Sequence, residues 1–233
     1  MVTLESQEIV FTQGKQSLQK AITGKSGEFC VSADLYGLYD SLDMRKVIFF
    51  TKADSMGLHL KYERGDDPSY LGDVFMLRSP EGYLNLAEAY AMLDDYEAAI
   101  ADLNVFCRQR ILDYKEDAHV ITEASLLKFY ATALQNEEHF MKKKKPYGSA
   151  AWSDLKKSLI LCILDFRRNE FMWEGLRYWD LIRYKIPVTH RTNTGDENTL
   201  YPGDDRWVLE IPETAVLSGV ALNPRENLLS KKW

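Results

Sequence analysis

The stretch Arg167-Arg168-Asn169-Glu170-Phe171-Met172-Trp173-Glu174-Gly175-Leu176-Arg177-Tyr178-Trp179-Asp180-Leu181-Ile182-Arg183-Tyr184 joins aromatic bulk to charge at helical spacing. Phe171, Trp173, Tyr178, Trp179 and Tyr184 supply the rings. Glu170, Glu174, Arg177, Asp180 and Arg183 fall three or four residues apart, and each neighbour in the series is of opposite sign except the first pair. When exposed, such a ladder stabilises a helix face by only about 0.2–0.5 kcal/mol per pair. Among so many rings it is expected to be half buried, where charges specify one docking geometry more than they add stability. The spacing therefore predicts a structural lock on one long helix running from Asp154 to about Arg183, with Ser153 as its cap. Leu155, Leu159, Cys162, Ile163 and Phe166 form the apolar stripe of that helix, and Ile186-Pro187 stops it. Gly175 reads as a point where a partner element approaches closely.

Upstream, Ser79 and Pro80 read as the cap and first residue of a helix reaching about Leu93, with Tyr83, Leu86, Ala87 and Tyr90 on its inward face. Asp94-Asp95 breaks it, since Asp tolerates the left-handed region. A second helix from Tyr96 to about Ile111 turns Ala99, Ile100, Leu103 and Phe106 inward. Small residues where two helices meet, larger tyrosines around them and a short turn fit a tetratricopeptide unit. A third helix is expected from Thr122 to about Phe140. Lys46-Val47-Ile48-Phe49-Phe50-Thr51 reads as a strand, and Leu58-His59-Leu60-Lys61-Tyr62 as its hairpin partner across a loop with Gly57. Ser6 to Leu18 alternates weakly, Val188 to Asp205 reads as a polar loop, and Trp207 to Pro212 as a short strand. The fold class is therefore mainly α: a tetratricopeptide-like helical repeat scaffold with a small β-hairpin and irregular C-terminal loops.

Composition narrows the function classes. The 233 residues carry 29 basic and 35 acidic side chains, and the net charge of −6 does not favour a nucleic-acid partner. Cys30, Cys107 and Cys162 lack metal-ligand spacing, and buried free thiols are the expected state. No apolar run reaches the roughly 18 residues of a membrane span. The basic run Lys142-Lys143-Lys144-Lys145 reads as a solvated loop. Gly24-Lys25-Ser26 is no phosphate loop, because the glycine required five positions earlier is missing. His59, His119, His139 and His190 form no metal or triad spacing. Glu170 and Glu174 lie one helical turn apart, but the arginines crowding them favour ion pairing over glycosidic-bond chemistry. No enzyme, cofactor or metal is expected.

The opening stretch resembles the C-terminal signature of the SusD/RagB family, through Arg167, Glu170, Phe171, Glu174, Gly175, Arg177, Tyr178, Asp180 and Arg183. Phe166 stands where that family usually has a Glu, with Asp165 one residue earlier. Leu77 to Tyr90 resembles the family's Leu-Arg-x-x-Glu-x-Tyr-Leu-x-x-Ala-Glu-Ala, and Leu103-Asn104 with Arg108 and Arg110 continues it. Asp43-Met44-Arg45 and Lys61-Tyr62 match a further segment in the right order, and Ile211-Pro212 and Asn223-Pro224 resemble the closing one, with Ser218 and Arg225 as departures. The resemblance implies an outer-membrane, surface-exposed lipoprotein that captures nutrients, most often glycans, without chemistry. Its implied partner is a SusC-type TonB-dependent transporter. It also implies an N-terminal lipid anchor that this chain lacks, so the chain reads as the C-terminal portion. Residues 1–75 would form an irregular and hairpin segment packed on a C-terminal domain of residues 76–233, the two forming one integrated domain.

Glycan capture needs exposed aromatic faces flanked by amides and carboxylates. Loop aromatics of that kind are Tyr70, Tyr147, Trp152 and Tyr201. Family members place most ligand contacts in the half that this chain lacks, so the resemblance assigns no binding residue. The alternative reading is a freestanding tetratricopeptide-type scaffold that binds a protein partner.

Overall fold

The protein, in a computed structural model, is described over residues 9–13, 33–50, 74–135, 151–172, 174–191, 197–208 and 211–221. The chain divides into two compact units, 1–131 with 153–173 and 132–152 with 174–233.

In the first unit, strand β1 (Ile9–Gln13) pairs antiparallel with β2 (Val74–Arg78), Ile9 opposite Arg78 and Gln13 opposite Val74. Between them lie helices α1 (Ala33–Gly37) and α2 (Met44–Phe49). Helix α2 replaces the strand expected from Lys46. Asp43 caps it, accepting the Arg45 N–H at 2.9 Å. Phe49 and Phe50 join Leu35, Tyr39 and Met172 in a buried cluster, with Phe50 set edge-on to Tyr36 and Tyr39 at 5.1 and 5.4 Å. A cap and a buried ring cluster thus outweigh the strand preference of a β-branched run. The expected partner strand from Leu58 lies outside the described residues.

Strand β2 runs directly into α3 (Ser79–Met92), which is followed by α4 (Tyr96–Arg108), α5 (Glu116–His119), α6 (Glu123–Gln135) and α7 (Asp154–Glu170). Arg78 rather than Ser79 holds the cap position of α3, and Pro80 sits in its first turn. Helix α3 packs on α4 and α7. Its buried face is Leu84, Ala87, Glu88 and Ala91, one position out of phase with the expected face, whereas Tyr83 and Leu86 are exposed. Ala87, Ala91 and Ala99 are fully buried, and their small side chains let the helix backbones approach. Leu84, Leu103, Leu159, Ile160 and Ile163 fill the space around them, each contributing about 1.5–3 kcal/mol by burial.

The turn between α3 and α4 is Asp94-Asp95. Asp94 takes the left-handed conformation at φ 64°, and its carboxylate accepts Lys156 Nζ at 2.9 Å. Asp95 accepts the Ala98 N–H at 3.2 Å and caps α4. Ser153 caps α7 as expected, accepting the Lys156 N–H at 3.2 Å. Helix α7 is buried on most of its circumference, the mark of a central helix.

The single helix expected from Asp154 to Arg183 is two helices. Helix α7 ends at Glu170, and α8 (Leu176–Arg183) starts after Gly175. Gly175 has φ +80°, which costs other L-residues about 1–2 kcal/mol. A Cβ placed there meets nothing within 4 Å. The glycine therefore serves the backbone turn and not a close approach.

In the second unit, α8 is followed by a hairpin of β3 (Val188–Arg191) and β4 (Glu197–Leu200), with Val188 opposite Leu200. The polar loop expected from Val188 thus contains paired strands, pinned by a Thr189–Thr199 hydroxyl contact of 2.7 Å. Asp205–Trp207 forms a 3-10 turn capped by Asp204, in place of the strand expected from Trp207. Helix α9 (Glu213–Leu217) closes the described chain.

Candidate functional site

Two arrangements of side chains stand out, one buried and one exposed. The buried one centres on Glu170, the last residue of α7, which is 2% exposed. Arg45 from α2 donates to Oε2 at 3.0 Å. Arg78, at the end of β2, donates to Oε1 at 2.9 Å. Arg110, just past α4, donates Nε to Oε2 at 3.1 Å and Nη2 to Oε1 at 3.3 Å. Four N–H groups fill the carboxylate's acceptor capacity. Arg45 also forks onto Asp43, Nε to Oδ1 at 3.0 Å and Nη2 to Oδ2 at 2.6 Å.

Rings wall this centre. The Arg45 and Arg110 guanidiniums lie over Phe106 at 5.4 and 5.0 Å, and those of Arg78 and Arg167 lie over Phe171 at 5.4 and 5.5 Å. The Tyr39 hydroxyl donates to the Asn169 carbonyl at 2.7 Å. Burial pushes the Glu170 carboxyl up, but the Arg45, Arg110 and Arg78 charges more than offset it and hold the group well below the usual carboxylate range. A carboxylate saturated with donors and locked ionised is poorly suited to proton transfer. Its chemistry is structural: it ties four chain segments to one point.

The exposed arrangement lies in the second unit. Tyr178 on α8 stands edge-on to Trp179 at 5.3 Å and tilted against Trp207 at 5.9 Å. The Tyr178 hydroxyl donates to the Trp207 carbonyl. Trp207 Nε1 donates to the Tyr201 carbonyl at 2.7 Å. Trp179 is 62% exposed and Tyr201 60%. Beside them Arg206 forks onto Asp204, Nε to Oδ1 at 2.9 Å and Nη2 to Oδ2 at 2.8 Å.

The residues singled out in the sequence are distributed as follows. Glu170 belongs to the buried centre and not to a ladder with Glu174, because the helix breaks between them. Arg167 donates to Asn85 Oδ1 at 2.5 Å, and Phe171 is buried. Asp180, 1% exposed, accepts both Nε and Nη2 of Arg183 at 3.1 and 2.8 Å. Glu174 and Arg177 are half-buried, and Gly175 is exposed. Trp152 is half-buried, and Tyr201 is in the exposed aromatic group. Tyr70 and Tyr147 lie outside the described residues, as do Cys30, Lys142 to Lys145, and Asn223-Pro224. Sequence reasoning missed the convergence of Arg45, Arg78 and Arg110 on Glu170. All three arginines stand inside the family-like motifs, yet no spacing says that they meet.

Cys107 and Cys162 are buried free thiols, and burial pushes Cys107 up to about 12. Among the described residues no His, Cys, Asp and Glu side chains gather into a metal site, and no helix is long and apolar enough to cross a membrane.

A family model described as the SusD family matches residues 55–207. The chain is also similar to three solved structures. A SusD-like carbohydrate-binding protein from Bacteroides vulgatus is 18% identical, with a TM-score of 0.55, 93% of this chain covered and 48% of that one. A SusD superfamily protein from Bacteroides thetaiotaomicron is 18% identical, with a TM-score of 0.58, 94% of this chain covered and 49% of that one. A SusD superfamily protein from Bacteroides fragilis is 20% identical, with a TM-score of 0.55, 91% of this chain covered and 44% of that one. The chain thus spans about half the length of these relatives, and the likeness is one of fold. No curated protein matches the chain.

Proposed function

Given that the chain belongs to the SusD family, we propose that it takes part in non-catalytic capture of nutrients, glycans foremost, at the outer-membrane surface, for delivery to a SusC-type TonB-dependent transporter. The observation that carries this reading is the family match over residues 55–207. The fold shared with a SusD-like carbohydrate-binding protein supports it. The buried charge centre supports the non-catalytic part, since its carboxylate is committed to three arginines. In this reading the helices of the first unit are scaffold, and the ligand is met on exposed aromatic surface.

The test is a calorimetric screen of neutral and acidic oligosaccharides against the 233-residue chain, with product analysis of each mixture. Capture without chemistry predicts saturable binding and unchanged oligosaccharide lengths. Silence across the screen, together with tight binding to a protein unrelated to transporters, would overturn the reading in favour of a freestanding scaffold. Cleaved products would overturn its non-catalytic part.

A further inference from the structure

We propose that His119 is an acid-sensitive latch on the turn of residues 113–120: its neutral imidazole holds the turn closed, and protonation opens it.

The turn is anchored at both ends by backbone and amide groups that do not titrate. At its entry the Leu112 N–H donates to the Leu42 carbonyl at 2.8 Å. Beyond its exit Asn104 clamps the Ile121 backbone, accepting its N–H at 2.7 Å and donating to its carbonyl at 2.9 Å. Between these points Lys115 and His119 are joined twice, across α5. The His119 N–H donates to the Lys115 carbonyl at 2.9 Å. The Lys115 N–H donates back to His119 Nδ1 at 2.9 Å. In a capping box a Glu or Gln side chain takes such an N–H. An imidazole takes it here, and imidazole is the side chain that ordinarily changes charge between about pH 5 and 8.

Nδ1 accepts only while it lacks a proton, so the neutral ring carries its hydrogen on Nε2. Once protonated, the ring turns a donor toward the Lys115 N–H, and two donors face each other. Closure is therefore complete on the alkaline side and is lost as pH falls. The charged and titratable groups around the half-buried ring are Asp113, Tyr114, Lys115, Glu116 and Asp117 of the same turn and Arg108 of α4. The rings of Tyr114 and His119 lie 5.5 Å apart, and the Arg108 guanidinium lies over Tyr114 at 5.6 Å. Arg108 also donates Nε and Nη2 to Glu116 Oε1 at 3.1 and 2.6 Å. These exposed charges are of both signs and are screened by solvent, so loss of the Lys115 bond decides the direction.

The test is amide exchange with water, followed by NMR on the 233-residue chain at about pH 7.5 and about pH 5. Each rate is corrected for the intrinsic pH dependence of exchange. The Lys115 amide should lose protection by about two- to tenfold at the lower pH, the range for one net hydrogen bond. The Lys156 amide, held by the Ser153 hydroxyl at 3.2 Å, should keep its own. His119→Ala should leave the Lys115 amide unprotected at both pH values. The nitrogen spectrum of the wild-type ring at the higher pH should show the Nε2–H tautomer.

Equal Lys115 protection at the two pH values, an equal acid loss in His119→Ala, or an Nδ1–H tautomer overturns the latch. A parallel loss at Lys156 assigns the change to general opening of the protein and overturns it as well.

Discussion

Arg45 and Glu170 stand 125 positions apart in the chain and meet at 3.0 Å, Nη1 to Oε2, with both side chains closed to solvent. The contact fastens the cap region of α2 to the last turn of α7. Arg78 and Arg110 fasten the end of β2 and the exit of α4 to the same carboxylate. Such a centre works as a whole, because each guanidinium left without its anion is a buried charge.

Glu170→Gln should therefore destabilise the protein by about 3–5 kcal/mol, the cost of breaking a buried pair from one side. Arg108→Gln removes an exposed partner of Glu116 and should cost far less, because solvent screens that pair. Urea denaturation of the two variants checks the contrast, and equal losses would contradict the account of the centre.

Acid should expose the same group. The folded-state carboxyl of Glu170 lies well below its ordinary value of 4.5. A depressed carboxylate contributes stability that is fully present above the unfolded value and is lost as pH falls from 4.5 toward the folded one. Denaturation midpoints should fall below pH 4.5, and that fall should be shallower in Glu170→Gln. Parallel acid profiles in the two proteins would assign the loss to other groups.

At the alkaline end the sign reverses. The folded Cys107 thiol titrates at about 12, against an ordinary 9.0, because burial disfavours the thiolate. The unfolded chain loses that proton first, so stability should decline as pH rises from 9 toward 12. At neutral pH, Cys107 and Cys162, both buried, should resist a thiol reagent until denaturant is added. A Cys30→Ser background isolates their signal. Rapid labelling of the folded protein would contradict their burial.

Gly175→Ala should cost about 1–2 kcal/mol, because φ +80° is unfavourable for a residue with a Cβ. No steric penalty is added, since the new methyl group meets nothing within 4 Å. Gly175→Asn should recover part of the loss, because Asn visits that region more readily. Thermal melts of the two variants decide it. An alanine variant as stable as the wild type would show that the turn relaxes freely.

Local signals were legible wherever short-range chemistry decides the outcome. The turn at Asp94-Asp95 and the cap at Ser153 follow from side chains acting on their own backbone. The helical class follows from periodicity and from the family-like motifs, and the observed helices agree with it. Periodicity did not settle the phase of α3. Its two candidate faces are both apolar, and only packing against α4 and α7 chose Leu84, Ala87 and Ala91.

The amino-acid sequence by itself determined the family, the helix-rich class, the cap at Ser153 and the turn at Asp94-Asp95, because these local features depend on residues close together in the chain. Only the tertiary structure decided the role of Glu170, the break at Gly175 and the helix at Met44. The first and the third depend on what arrives from far along the chain, whereas the break at Gly175 lies in its own backbone, at φ +80°. A carboxylate at helical spacing from Glu174 pairs instead with Arg45, Arg78 and Arg110, since a buried anion is stable only where guanidinium charge surrounds it.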